Sequence, residues 1–88
     1  MATIEILSDW KFGKSEASVC DKTVRDGGFV YYAAVESIDG EWHYLVSKIP
    51  AAMHFAGMSR SLHAVKIGSG KFSELSDARG ECEILFSK

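Results

Sequence analysis

From Phe29 to Ile49 the chain reads FVYYAAVESIDGEWHYLVSKI, two runs of aromatic and β-branched residues on either side of Asp39-Gly40. Asp-Gly suits a two-residue type I′ turn, whose central residues both need positive φ. Strand side chains alternate between faces, so placing the turn assigns every side chain of the hairpin to a face. Tyr31, Ala33, Val35, Trp42, Tyr44 and Val46 share one face, the natural core face. Val30, Tyr32, Ala34, Glu36, His43, Leu45, Ser47 and Ile49 share the other. That second face is only half polar, which predicts that something covers part of it. The register sets Glu36 directly opposite His43. A carboxylate beside an imidazole can serve as an acid/base dyad when a pocket surrounds it; without one it is an exposed cross-strand ion pair of little energetic weight. The ion pair is the reading adopted.

Outward from the hairpin the signals weaken. Thr3 to Leu7 alternates as a short strand, with Ile4 and Ile6 on one side. Residues 15–25 suit either a helix after a Ser15 cap, with Ala17, Cys20 and Val24 in a stripe, or a strand, given Val19 and the Thr23-Val24 pair. Pro50 reads as the first position of a helix, and residues 51–62 form an imperfect amphipathic stripe weakened by Gly57. Ala64 to Ile67 reads as a short strand closed by Gly68-Ser69-Gly70. Ser73 to Ala78 reads as one helical turn ended by Gly80, and Glu81 to Phe86 as a strand with Cys82, Ile84 and Phe86 inward. The fold class expected is α+β, one domain over residues 1–88. An antiparallel sheet of four to five strands surrounds the central hairpin (29–38 and 41–49), with one or two short helices on one face.

The chain has 88 residues, 47% of them hydrophobic and 25% charged, an ordinary globular balance with enough apolar surface to offset chain entropy. No apolar run approaches the ~20 residues that span a bilayer, and residues 1–6 lack a basic leader and apolar stretch. Two cysteines, Cys20 and Cys82, are too few for a disulfide scaffold and read as small buried thiols. The compartment expected is the cytoplasm. Small domains often gain stability by pairing with a copy of themselves, so a homodimer is a further expectation.

Fragments of catalytic and cofactor motifs do not complete. Gly13-Lys14-Ser15 resembles the end of a phosphate-binding loop, but Ser8 stands where that motif needs glycine. Gly68-Ser69-Gly70 lacks the third glycine of a dinucleotide fingerprint, since position 73 is Ser. His43, His54 and His63 form no pair at metal-ligand spacing, and no cysteine lies two to four residues from a histidine or another cysteine. The sequence therefore predicts no catalytic residue, no metal and no cofactor.

Charge is what stands out. From Trp42 to Ser73 there is no Asp or Glu, although the chain has twelve. The same stretch carries Lys48, Arg60, Lys66 and Lys71, so its formal charge is +4; with a total of −2, the remainder carries −6. Such an asymmetric molecule offers anions a basic face. Three uses follow. A protein partner with an acidic surface would meet the segment 50–66 and the half-apolar face of the hairpin, with Met53 and Met58 as apolar contacts. A nucleic acid would place phosphates on the four cations and stack bases on Tyr32 or Trp42, against a negative net charge and a pI near 5.9. A small anionic ligand would use the backbone N–H groups of Gly68-Ser69-Gly70-Lys71 as a nest. The bland alternative is that the cations merely solvate a helix and its flanks, with Met53, Phe55 and Met58 in the core. The reading adopted is a small non-catalytic protein-interaction module, with Tyr32, Lys48, Met53, Met58, Arg60, Lys66 and Lys71 as its docking residues.

Overall fold

Asp39 and Gly40 both adopt positive φ, 51° and 79°, and join strand β3 (Phe29–Ile38) to strand β4 (Glu41–Pro50). The hairpin pairs in the register the turn dictates: Tyr31 opposite Lys48, Ala33 opposite Val46, Glu36 opposite His43. The computed structural model describes residues 4–12, 19–86 and 88. Three more strands, β1 (Ile4–Phe12), β2 (Val19–Asp26) and β5 (Val65–Phe72), complete an antiparallel meander in the order β1-β2-β3-β4-β5. The ambiguity over residues 15–25 resolves to strand from Val19 onward, because β3 needs a partner on its free side. The Ser15 cap and the Gly13-Lys14-Ser15 fragment lie outside the described residues.

Helix α3 (Leu75–Leu85) crosses one face of the sheet. It buries Ala78, Cys82 and the following Phe86 against Val24, Tyr31, Ala33, Val35 and Val46, with Leu75 and Leu85 packed at the margins. The strand expected over 81–86 is therefore corrected to helix. The Cys82-Ile84-Phe86 alternation suggests a period of two, yet 75, 78, 82, 85 and 86 repeat with the period of a helix, and Ile84 points outward at 62% exposure. Gly80 sits inside the helix. Its cost, about 1 kcal/mol relative to alanine, is outweighed by the apolar area that α3 covers.

Two short helices, α1 (Ala51–Phe55) and α2 (Arg60–His63), lie between β4 and β5 and break at Gly57, in place of one helix over 51–62. They pack on the opposite face, where Ala51 and Ala64 close over Val30, Ile49, Leu7 and Tyr32. The half-polar face is thus covered at one end only. Helices occupy both faces, where the sequence places them on one, because each face of the hairpin carries its own apolar cluster.

Between β1, β2 and α3 a polar cluster joins sheet to helix. The Lys22 side chain, 9% exposed, lies 2.6 Å from Glu83 and 3.5 Å from Asp9. Glu83 also accepts a hydrogen bond from the Trp10 indole. The Trp10 backbone N–H, donating to Asp9, holds that carboxyl below its usual value of 3.8, helped by Lys22. Burial works to lower Lys22 from 10.5, but its contacts with Glu83 and Asp9 win and raise it. The signs are opposite. Asp9 contributes stability present above pH 3.8 and lost as pH falls through its lower folded value; Lys22 contributes stability present below pH 10.5 and lost above it. Melting temperatures of wild type and Lys22→Met across alkaline pH are expected to converge above pH 10.5. A constant gap would place the stabilising effect of Lys22 in packing instead. Cys20 and Cys82 are free and buried nearby; burial pushes the Cys82 thiol up to about 12, which keeps it protonated and unreactive.

Candidate docking groove

The uncovered end of the second face forms a groove of about 760 Å³, lined by residues of β1, β2, β3, β4, α2 and β5. Its floor is apolar and small: Ala34 from β3 and Leu45 from β4, which face each other in the hairpin register. Leu45 is 46% exposed, so this floor is open to solvent. The hydroxyls of Ser8, Thr23, Ser47 and Ser61 supply neutral polar groups along the walls.

Three cations reach the groove from three separate elements. Lys11 comes from β1, Arg60 from α2 and Lys66 from β5. None of them forms an ion pair among the described residues, where the carboxylate pairings are those of Lys22 and of Lys71. Asp21 is the carboxylate of the groove, and although Lys11 is its register partner, no ion pair joins them.

Tyr32 anchors the arm that carries Arg60. Its hydroxyl shares a hydrogen bond with Nδ1 of His54 on α1, and the Arg60 guanidinium lies over its ring at 4.3 Å from the centroid. Arg25 lies over Phe55 in the same way, at 5.4 Å. Apart from Ala51 the arm buries little, so these polar–aromatic contacts and the Val30–Ile49 cluster set its seat. Burial raises the Tyr32 hydroxyl above its usual value of 10.0, against a smaller lowering by Arg60, and keeps it neutral.

Neither a family model, nor a curated protein, nor a solved structure matches this chain.

The seven docking residues read from the sequence separate into groups. Tyr32, Arg60 and Lys66 converge on the groove. Lys71 shares that face but lies beside the Asp39-Gly40 end, opposite His43, and pairs with Glu41 at 3.2 Å. Lys48 is a correction. Its register partner is Tyr31, so it emerges on the α3 face, where it lies 4.5 Å from the Phe29 ring centre and donates to the Lys88 carbonyl. A charge count along the chain merges both faces of β4, and strand alternation then separates them. Met53 and Met58 are exposed, as are Phe55 and Leu62, so they stand neither in the core nor among the residues that line the groove. Glu36 and His43 face each other across the hairpin, yet their side chains make no hydrogen bond or ion pair. Gly68-Ser69-Gly70 is no nest and no turn: all three residues are extended within β5 and paired to β4. Lys11, Ser8 and Asp21 were not marked by the sequence. Lys11 lies outside the acid-free segment, and only the β1–β2 register brings it to the groove.

Proposed function

We propose that this chain is a non-catalytic binding module whose groove takes an acidic segment of a protein partner. The convergence of Lys11, Arg60 and Lys66, none of them in an ion pair among the described residues and with Asp21 as the one carboxylate in the lining, carries this reading. Cations gathered in a concave, low-dielectric wall raise the local concentration of anions far more than the same charges scattered on a convex surface. An apolar floor beneath them suits a peptide, which brings aliphatic groups between its carboxylates. Reduced thiols at Cys20 and Cys82 accord with work in the cytoplasm.

Nucleic acid is the less favoured occupant. Trp42 packs against the cluster beneath α3, and the Tyr32 ring is engaged by Arg60 and His54, so neither ring offers a free stacking platform.

Binding of a fluorescently labelled glutamate-rich peptide tests the proposal. Wild-type protein is expected to bind it at low ionic strength, and Arg60→Glu/Lys66→Glu to bind about tenfold more weakly or worse. Both side chains are exposed, so the melting temperature should fall by no more than the Arg60–Tyr32 contact contributes, about 1 kcal/mol of stability. A single-stranded oligonucleotide of equal charge should bind less tightly than the peptide. Equal affinity of wild type and double variant for the peptide, or none in either, would overturn the groove as a docking site.

A further inference from the structure

An acidic flank of α3 complements the groove on the other side of the sheet. Asp77, Glu81 and Ile84 recur at the four- and three-residue steps that align side chains along one side of a helix, flanking the buried Ala78 and Cys82, and Glu74 is the N-cap residue before them. The groove presents three cations and one carboxylate, Asp21, around an exposed leucine; the flank presents Asp77 and Glu81, with Glu74 just before the helix, and an isoleucine that is 62% exposed. Dimensions agree as well. Eleven helical residues extend ~16 Å, and the groove runs from β1 to β5, four inter-strand spacings or ~19 Å.

We infer that the acidic segment filling the groove is helix α3 of a second copy of this chain. The inference rests on the groove being the anion-selecting site proposed above, and it names the partner. Laid across the strands, the incoming helix sets Asp77 and Glu81 among Lys11, Arg60 and Lys66, and Ile84 against Leu45. The sheet is then sandwiched between its own α3 and its neighbour's, a layering that buries both of its faces.

The two patches lie on opposite faces of the sheet, so two copies cannot exchange them reciprocally. The contact is head-to-tail and leaves a free groove at one end and a free helix at the other. Assembly then passes beyond two copies instead of closing as a symmetrical dimer.

Sedimentation velocity over a concentration series reads this directly. Wild type is expected to show a mass that rises past the dimer with concentration at low ionic strength and returns to monomer in high salt. Arg60→Glu/Lys66→Glu should be monomeric alone, and Asp77→Lys/Glu81→Lys should be monomeric alone. Mixed in equal amounts, they should assemble again, because each groove now meets a helix of opposite sign; the rescue also shows that both variants fold. A wild type that stays monomeric at high concentration and low salt, a mass that stops at dimer, or a mixture that fails to assemble would overturn the inference. Failure here with the glutamate-rich peptide still bound by wild type would leave the groove as an anion site for a different partner. Loss of peptide binding would remove the groove itself.

Discussion

Ile49→Ala is expected to lower the free energy of unfolding by about 2–5 kcal/mol, measured as a fall in the urea midpoint with little change in slope. Ile49 is fully buried, opposite Val30 in the hairpin register, and with Ala51 it forms the small cluster beneath the arm. The main-chain pairing of β3 and β4 fixes the position of its neighbours, so the space left by three missing carbons cannot close by small shifts. A chain of this length has only about 4–13 kcal/mol of stability to lose, and the variant is expected to be close to half-unfolded at the warm end of its range. The local effect reaches the groove, because the arm that presents Arg60 rests on this cluster. A loss below about 1 kcal/mol would show that residues 51–64 collapse into the space and that Ile49 does not fix their seat.

Gly70→Val is expected to cost about 1–3 kcal/mol, although valine ordinarily favours a strand. A Cβ added at Gly70 would stand 2.9 Å from the Tyr44 ring and hydroxyl. Tyr44 is stacked on Phe72 with ring centres 5.8 Å apart, so its ring has little room to swing aside. Gly68 supplies the control. There the added Cβ would meet the Leu85 methyl at 2.8 Å, the far end of a side chain that can adopt another rotamer. Gly68→Ala should therefore cost clearly less than Gly70→Val. Thermal midpoints of the two variants decide the point, and the reverse order would show that the Tyr44–Phe72 stack yields more easily than Leu85.

The hairpin was readable in full because one dipeptide fixes its turn and strict alternation does the rest: Asp39-Gly40 set the pairing from Ile38–Glu41 out to Phe29–Pro50. That something covers part of its second face was readable too, from the half-apolar composition of that face; that the cover sits over Val30 and Ile49 was not. What failed were segments whose local pattern and tertiary role disagree. Gly68-Ser69-Gly70 has the composition of a turn, yet it is extended because Tyr44 and Leu85 lie where side chains would be. The alternation at Cys82, Ile84 and Phe86 suggests a strand, while the exposed apolar face of the hairpin requires a helix across it. The groove was half readable. Arg60, Lys66 and Tyr32 came from the acid-free segment, whereas Lys11 entered through a β1–β2 register with two irregularities that no local signal announces.

Every strand of the meander lies beside its immediate predecessor, so pairing can advance stepwise, with the arm between β4 and β5 the longest connection to close. The lid of the main core comes last of all, since α3 follows all five strands in the chain. Until α3 docks, Val24, Tyr31, Val35 and Val46 line a bare face of the sheet. With α3 undocked, the main apolar cluster faces water, the kind of exposed surface through which folding intermediates misassociate, and docking of these eleven residues closes it.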